Sequence, residues 1–350
     1  MPRIELAACQ LHVTLADYTS EASFAAMLDR AGNALDRARE RDSEGRLRHA
    51  CVAVFPEMVG AFLPIAGRDR VIRGARTTDG ALTRVALRRL PEVIRAMRKG
   101  RILSPKAGFL LSVSAEVHRV YRSAFSAFAR RHGAWVVAGS ALLPRNARGD
   151  TAEDFEPLDG RVFNTSYAFS PDGAHVGTTR KVNLVPTLED TLGLSPGDAA
   201  EVTPFEAPFG RVATLICYDG FLVPHTEREP SFQRLAPVCD ARGASIVAHP
   251  AANPWPWDER WAFAAEGERQ LRREQWQSEG IEASLRSPRL PNLRYAVTAH
   301  LLGDVLDNHF EGRSQIFERV DGEPKVIAEA SRADASRAAE EVIVRAVDLP

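Results

Sequence analysis

The sequence predicts an α/β protein in which helices flank a mixed β-sheet, and three observations lead to that prediction. Short apolar runs rich in β-branched residues recur along the 350 residues and alternate with helical patterns. Two pairs of predicted strands are joined by tight turns, Pro171-Asp172-Gly173 and Asp321-Gly322. The chain shows neither an internal repeat nor a linker rich in serine, glycine or proline. We therefore expect one large domain over residues 1–350.

The first half of the chain supplies two early strands and the longer helices. Residues 4–9 form a buried-type run that predicts the first strand. Residues 20–41 carry apolar side chains at helical spacing with charges between them, which predicts an amphipathic helix. A second strand is predicted over 50–55. A helix over 116–132 then leads into a strand over 134–139.

The second half of the chain is predicted to be richer in strands, with hairpins at both tight turns. The strands predicted here cover residues 161–170, 174–180, 212–216, 244–248, 295–299, 314–317, 325–328 and 341–347. Strands that alternate with helices and also form hairpins indicate a sheet with both parallel and antiparallel neighbours.

Two segments depart from this alternation, and we expect both to be insertions, at about 66–106 and 255–280. The first carries twelve basic residues against three acidic ones. Its apolar residues recur at helical spacing, which predicts a pair of amphipathic helices. The second contains four of the five tryptophans: Trp255, Trp257, Trp261 and Trp276.

Composition and charge exclude several classes of protein. Apolar residues make up 45% of the chain, which suffices for a large core and excludes disorder throughout. Basic and acidic residues balance at 45 and 46, so no overall field favours nucleic acid or a membrane. The four cysteines lack the spacing of a disulfide framework or a zinc site. With no signal peptide and no membrane-length apolar run, a cytoplasmic protein without metal or other cofactor is expected.

Reactive side chains follow three of the predicted strands. Cys217 ends the run 212–216 and precedes a turn with glycine, as a nucleophile at a strand-end elbow would. Glu57 leaves the strand 50–55, and Lys181 closes the second arm of the first hairpin. Strand ends are where α/β sheets keep their active sites. Each residue taken alone also suits a buried filler or a solvated charge.

The three strand ends, in their order along the chain, resemble the nitrilase superfamily of carbon–nitrogen hydrolases. The segments concerned are Phe55-Pro56-Glu57, Arg180-Lys181-Val182-Asn183-Leu184-Val185-Pro186-Thr187-Leu188-Glu189 and Leu215-Ile216-Cys217-Tyr218-Asp219-Gly220. Further support comes from Ala7-Ala8-Cys9-Gln10, Phe163-Asn164-Thr165-Ser166-Tyr167, Gly243-Ala244-Ser245-Ile246-Val247, Phe310-Glu311-Gly312-Arg313-Ser314-Gln315-Ile316 and the final strand. The resemblance implies a four-layer α-β-β-α sandwich that assembles into at least a homodimer.

The resemblance also implies a Glu–Lys–Cys triad. Cys217 is then the nucleophile, Glu57 the general base and Lys181 the stabiliser of charge, while Glu189 matches a second carboxylate. The residue types suit this chemistry, because a thiol near its ordinary pKa of about 8.5 needs a base before it attacks. The backbone N–H of Tyr218 can assist Lys181 in holding the oxyanion.

The neighbours of the nucleophile favour an amide as substrate. Cys217-Tyr218-Asp219 is closer to the amidase branches than to nitrilases, which commonly show Cys-Trp-Glu. We expect Tyr218, Asp219, His249 and Asn253 to contact the substrate. His225 and His300 depart from the family pattern, which bears on the identity of the substrate.

Three alternatives stay open at this stage: a nitrilase with the same triad, acyl transfer to an amine instead of water, and a non-catalytic scaffold of the same fold. Both insertions follow strand ends, so we expect them to roof the pocket or to close it from a neighbouring subunit. Part of the positive charge of 66–106 is expected at the entrance, where it would steer an anionic substrate. The equal alternative is a solvated arginine face on surface helices.

Overall fold

The computed structural model describes residues 3–186, 188–189, 192–264, 266–287 and 289–349. The strands in this part of the chain are β1 (Arg3–Thr14), β2 (Ala50–Val54), β3 (Trp135–Val137), β4 (Ala141–Asn146), β5 (Pro157–Phe169), β6 (His175–Arg180), β7 (Phe205–Ala207), β8 (Gly210–Thr214), β9 (Ala244–Ala252), β10 (Tyr295–Val305), β11 (Asn308–Phe310), β12 (Gln315–Val320), β13 (Glu323–Glu329) and β14 (Glu341–Asp348). The helices are α1 (Glu21–Ala38), α2 (Asp69–Ile72), α3 (Thr78–Arg88), α4 (Leu90–Gly100), α5 (Pro105–His132), α6 (Ala236–Ala241), α7 (Arg272–Glu279) and α8 (Ile281–Leu285).

The strands form two mixed sheets that share the long strand β1. In the first sheet β14, β1, β2, β3 and β5 follow one another, and β5 also pairs with β4 and β6. In the second sheet the order is β13-β12-β10-β9-β8-β7, with β11 paired to β10. The last residues of β1, 11–14, run parallel to β10 and connect the two sheets.

Three apolar clusters divide the molecule into four layers. The cluster between the sheets contains Ile4 and Val54 from the first sheet and Ile246 and Val297 from the second. Alternate residues of the strands, such as Ala7 in β1, face outward and pack under α1 and α5. A third cluster packs α6 and α8 against the outer face of the second sheet. This is the α-β-β-α sandwich that the resemblance implied.

The structure differs from the predicted elements mainly where the sequence pattern is weak. Strands β4, β7 and β11 were not predicted. Strand β4 contains Pro144, which cannot donate to the ladder and lies at a register shift. Helix α5 begins at Pro105 and not at residue 116. Its first third is buried on nearly every side, so those residues lack the apolar and polar alternation of a surface helix.

The basic segment 66–106 folds as α2, α3 and α4, which pack against α5 and the loop after β2. Pro91 lies in the first turn of α4, where a missing N–H costs nothing, and therefore marks a helix start. Arg68 and Arg89 both pair with Glu116 of α5. The tryptophan-rich segment contains α7. Whether either segment is an insertion on a shorter scaffold stays a prediction.

None of the helices in the described part of the chain has the length and apolarity needed to cross a bilayer.

Candidate active site

The ends of three strands bring the predicted triad together. Glu57 follows β2, Lys181 follows β6 directly, and Cys217 opens a single 3-10 turn after β8. Two of these strands belong to the first sheet and β8 belongs to the second. Glu57 and Lys181 therefore face Cys217 from across the sandwich, and all three side chains are buried.

Lys181 bridges two carboxylates. Its Nζ donates to Glu57 Oε1 at 2.8 Å and to Glu189 Oε2 at 2.6 Å. Asn164 Nδ2 donates to both carboxylates as well, at 2.8 Å each. The backbone N–H of Val185 donates to Glu189 Oε2 at 2.9 Å. Glu189 thus accepts hydrogen bonds from three donors. Asn164 belongs to this cluster, although the sequence analysis did not predict it as a site residue.

Burial and mutual charge set the proton affinities of this cluster. Burial raises the pKa of Glu57, and the Lys181 charge only partly opposes that rise. Burial alone would lower the pKa of Lys181, but the charges of Glu189 and Glu57 outweigh it and hold that pKa well above its ordinary value. Burial, together with the charge of Glu57, raises the pKa of the Cys217 thiol. Cys217 at rest is therefore a protonated thiol, which would need a base before it could act as a nucleophile.

Glu57 is placed to be that base, because its carboxylate interacts with the Cys217 thiol as well as with Lys181. The thiol also lies 3.5 Å from the carbonyl oxygen of Ala252. A neighbouring carboxylate whose pKa is raised accepts a thiol proton more readily than an ordinary one does. This arrangement can produce a thiolate beside a lysine cation.

Two residues beside the Glu57 carboxylate and the Cys217 thiol, Met58 and Cys217 itself, have an uncommon backbone conformation. Cys217 has φ of 50° and Met58, directly after Glu57, has φ of 64°. Both values lie in the left-handed region that β-carbon-bearing residues seldom occupy. The Met58 N–H donates to Ser140 Oγ at 2.9 Å, which fixes the turn after Glu57.

His249 holds the Cys217 turn. Its Nε2 donates to the Cys217 carbonyl oxygen at 2.8 Å, and its Nδ1 lies 2.9 Å from Thr298 Oγ1. Burial lowers the pKa of His249 to about 4, so the ring is neutral and Nδ1 accepts from the threonine hydroxyl. Gly220 lies against the same ring, where a β-carbon would come within 2.5 Å of Nε2.

Asp219 holds the chain beside Lys181. Its carboxylate accepts the backbone N–H of Val182 at 3.1 Å and of Asn183 at 2.7 Å. Burial raises the pKa of Asp219 to about 7, although these hydrogen bonds oppose the rise. These hydrogen bonds hold the backbone directly after Lys181, so the Asp219 side chain helps to position that lysine.

Tyr218 and Asn253 also bond within the protein. The Tyr218 hydroxyl donates to Glu229 Oε2 at 2.7 Å and accepts from the His225 N–H. Asn253 Nδ2 donates to the carbonyls of Trp255 and Glu311 at 2.6 and 3.1 Å. These contacts fix the walls of the site.

A cavity of about 490 Å³ opens above the cluster. Among the described residues its floor contains Glu57, Lys181, Glu189 and Cys217, whereas Tyr218, Asp219, His249 and Asn253 do not line it. The apolar residues that line it are Met58, Ala61, Phe62, Leu82, Ala86, Leu87, Leu90, Val93, Pro105, Phe109, Leu110, Leu142, Val185, Leu188, Leu192, Phe221, Ala252, Pro254, Trp255 and Phe310. The four side chains predicted to contact substrate thus support the site instead of facing the cavity.

Helices α3 and α4 line this cavity mainly with apolar side chains, although Thr78, Asp79 and Thr83 of α3 also reach it. Of the described residues in 66–106, Lys106 is the basic residue at the wall, and its Nζ donates to Asp79 Oδ2 at 3.0 Å. The arginines of the segment do not line the cavity; Arg84, for example, donates to the carbonyl oxygen of Arg73 at 2.6 Å. The arginines therefore fit a solvated face on surface helices, and attraction of anions by the charge of this segment stays a prediction.

Arg272 is a buried cation at the cavity that the sequence did not single out. Its guanidinium carbon lies 3.7 Å from the centroid of the Trp261 ring, with the rings of Trp255 and Trp276 at 4.9 and 5.4 Å. Its Nε donates to Asn253 Oδ1 at 2.7 Å, and another nitrogen donates to Gln275.

The charge of Arg272 has no carboxylate partner within 4.0 Å among the described residues. Burial lowers the pKa of Arg272 to about 9, which still leaves the guanidinium charged at neutral pH, and the thiol of Cys217 lies within its electrostatic reach. The only signal in the sequence was an arginine within the tryptophan cluster. Aromatic faces stabilise such a buried cation.

The two histidines that depart from the family pattern lie in different places. His225 lines the cavity and stacks on Tyr218, with the ring centroids 4.0 Å apart. His300 packs against the rings of Trp276 and Trp257 and does not line the cavity. Burial lowers the pKa of His225 to about 2, so this wall of the cavity carries a neutral ring.

Comparison with known proteins identifies relatives in sequence. A family model described as carbon-nitrogen hydrolase matches residues 5–224. Omega-amidase NIT2 of Homo sapiens is 33% identical over 100 residues, which cover 27% of this chain and 32% of the relative. The same enzyme of Danio rerio is 28% identical over 152 residues, which cover 41% of this chain and 46% of the relative. The chain thus spans between a third and a half of the length of these curated relatives.

Solved structures resemble the whole chain. A carbon-nitrogen hydrolase from Helicobacter pylori superposes with a TM-score of 0.58 at 16% identity, covering 99% of this chain and 89% of that one. An amidase from Nesterenkonia sp. superposes with a TM-score of 0.54 at 17% identity, covering 98% and 90%. At these identities the likeness shows a shared fold.

Proposed function

Because the chain belongs to the carbon–nitrogen hydrolase family, we propose that it hydrolyses a linear amide or carbamoyl compound through a thioester on Cys217. The observation that carries the proposal is the buried Lys181, which bridges two carboxylates beside a thiol at the floor of a cavity. Burying such charges is unfavourable without a function or an excellent network, and clusters of this kind mark catalytic sites.

The proposed reaction begins with proton transfer. Glu57 takes the proton of the Cys217 thiol as sulfur attacks the carbonyl carbon of the amide. The carbonyl oxygen becomes an oxyanion, which the Lys181 ammonium and the backbone N–H of Tyr218 stabilise. Glu57 then returns the proton to the leaving nitrogen, and ammonia or an amine departs. The acyl group stays on sulfur as a thioester.

The second half of the reaction releases the acid. Glu57 removes a proton from water, the resulting hydroxide attacks the thioester carbonyl, and the carbon–sulfur bond breaks. The proton returns to the thiolate, which restores the resting site. Glu189 keeps Lys181 charged and in place throughout, because it accepts from Lys181, Asn164 and the Val185 N–H. No step in this sequence requires a metal or organic cofactor.

Amides are favoured over nitriles as the substrate. The Cys217-Tyr218-Asp219 sequence is closer to amidase branches, and the relatives carry amidase names. One structure of the Nesterenkonia amidase is a complex with butyramide. Water is favoured as the acceptor of the acyl group over an amine, since the relatives are named as hydrolases and amidases.

The test is ammonia release from a panel of amides, carbamoyl compounds and nitriles, with intact-mass detection of an acyl adduct. Cys217→Ala should abolish release and the adduct, whereas Cys239→Ala, another buried thiol, should retain both. Lys181→Ala should lower kcat/KM by about 10²–10³, as the loss of an oxyanion donor does elsewhere. Release from nitriles but not amides would favour the nitrilase alternative, and an unchanged rate in Cys217→Ala would refute the thioester.

We also propose a cytoplasmic homo-oligomer. The four cysteines are free and buried, which suits a reducing compartment. The proposed assembly is at least a homodimer, as the family resemblance implies and as closed symmetry generally favours. A monomer in light scattering at micromolar concentration would contradict that part.

A further inference from the structure

The cavity has a charged floor and an apolar wall. Of its charged groups, Glu57, Lys181 and Glu189 are gathered around Cys217, Arg272 lies among the tryptophans, and Asp79, Lys106 and Asp307 lie at the outer end. The opposite wall is built from α3, α4 and α5, which contribute leucine, valine, alanine and phenylalanine side chains. When the carboxamide of a ligand lies at Cys217, the rest of that ligand faces the apolar wall of the cavity.

The size of the cavity exceeds what a short amide needs. Pockets of about 300–1,000 Å³ enclose drug-sized ligands, and the value of about 490 Å³ lies in that range. An amide of two to four carbons would leave most of the apolar wall in contact with water. Filling that volume with hydrocarbon removes apolar surface from water on both partners.

The polar residues at the outer end of the cavity bond to one another. Asn308 Nδ2 donates to Thr78 Oγ1 at 2.6 Å, and the Thr78 N–H donates to Asp307 Oδ1 at 2.7 Å. Lys106 donates to Asp79. These groups form a polar rim around an apolar interior.

Two leucines at the joint of α3 and α4 extend the apolar wall outward. Leu87 and Leu90 line the cavity although 66% and 48% of their surfaces are exposed. An apolar chain that passes them would cover surface that is otherwise in water. Their position continues the wall formed by Leu82, Ala86 and Val93.

We propose that the preferred substrate is the amide of an extended apolar acid, with an alkyl or arylalkyl chain of about six carbons or more lying along α3, α4 and α5. This inference rests on the proposed function. It also predicts that short acyl groups are poorer substrates, because they leave the apolar wall uncovered. The competing outcome is an anionic acyl group selected by Arg272, which also lines the cavity.

Turnover of a chain-length series tests the inference. Primary amides from propionamide to decanamide, with 3-phenylpropionamide and succinamate beside them, should show kcat/KM rising by up to about fourfold per methylene until the wall is filled. A flat or falling series, or a preference for succinamate, would overturn the inference and leave the amidase proposal intact.

Binding separates failure of the cavity from failure of the chemistry. Octanamide should bind Cys217→Ala more tightly than propionamide does, and calorimetry measures both without turnover. Equal affinities would overturn the inference. Tight octanamide binding with no hydrolysis of any amide by the unaltered enzyme would overturn the proposed function and leave the apolar site standing.

Matched variants on the two helices locate the chain. Ala86→Phe fills the wall, whereas Ile94→Phe adds the same ring at an exposed residue of α4 that does not line the cavity. The ratio of kcat/KM for octanamide to that for propionamide should fall about tenfold or more in Ala86→Phe and stay unchanged in Ile94→Phe. Leu90→Asp, at a half-exposed position that tolerates charge, should lower the ratio in a folded protein. If all three variants kept the octanamide-to-propionamide ratio of the unaltered enzyme, the proposal would be overturned.

Discussion

At the scale of single residues, the position of each carboxylate decides which one can act as a base. Glu189 accepts from Lys181, from Asn164 and from the backbone of Val185, so its oxygens are occupied. Glu57 shares two of these donors but also faces the thiol. Burial raises the pKa of Glu57, so its protonation state changes at a higher pH than that of an ordinary carboxyl group. We therefore expect Glu57 to set the acid limb of activity.

The pH profile of kcat/KM for a neutral amide tests this expectation. Since protonated Glu57 cannot accept the thiol proton, activity should fall as the pH falls through the raised pKa of Glu57, above the ordinary carboxyl value of 4.5. Asn164→Ala removes a donor that favours the ionised form, so the acid limb should move to higher pH. A lower kcat with an unmoved limb would indicate that Asn164 only packs the site.

Arg272 offers a second residue-scale prediction. Its unpaired positive charge favours the thiolate of Cys217, so Arg272→Met should raise the thiol pKa and slow alkylation by iodoacetamide by up to about tenfold near neutral pH. Arg273→Met is the matched control, since this neighbour in α7 pairs with Asp258 at the surface. Equal alkylation rates in both variants would show that Arg272 does not act on the nucleophile.

At the scale of elements, one buried ion pair joins α1, β1 and α5. Arg39, at the end of α1, donates to Glu5 Oε2 of β1 at 2.7 Å and to the carbonyl oxygen of His132, the last residue of α5, at 2.7 Å. A third donor reaches the carbonyl oxygen of His49 before β2. One guanidinium thus satisfies acceptors in β1, in α5 and in the residue before β2.

Loss of that guanidinium should destabilise the fold strongly. Arg39→Met leaves the Glu5 carboxylate buried without its cation, which typically costs about 3–5 kcal/mol of unfolding free energy. Arg46→Met removes an exposed pair with Asp42 and should change stability by less than about 1 kcal/mol. Urea denaturation measures both. Similar midpoints for the two variants would contradict this reading.

The same elements show what the sequence can and cannot predict. Strands such as β2 and β8 were predictable because layers cover both of their faces, which produces continuous apolar runs. The start of α5 was not, since burial on nearly every side removes the helical pattern. Glu57, Lys181, Glu189 and Cys217 follow recognisable strand-end motifs. The roles of Asn164 and Arg272 depend on contacts made only in the folded chain, which spacing does not record.

At the scale of the whole molecule, β1 is the strand that both sheets share. Its first half is hydrogen-bonded between β14 and β2, and its last four residues pair with β10. Both of its faces lie in apolar clusters. Opening β1 would therefore separate the sheets and expose the central core. Local opening of this strand should thus require nearly the full free energy of unfolding.

Hydrogen exchange checks this cooperativity. Amides of β1 should exchange only through global unfolding, and their exchange free energies should equal the unfolding free energy from denaturant. Amides of α3, which packs at the cavity rim with many exposed side chains, should exchange through smaller openings. Exchange of β1 amides at the level of α3 would show that the two sheets open independently.

The left-handed backbone at Cys217 has a consequence for how this site changes over generations. A residue with a β-carbon at φ of 50° carries about 1–2 kcal/mol of strain that glycine would not carry. Folding stability alone therefore favours glycine at this position, and the proposed role of the sulfur as nucleophile would explain why cysteine is present instead. In a descendant that no longer used the chemistry, drift would be expected to replace Cys217 before it altered the buried strands around it.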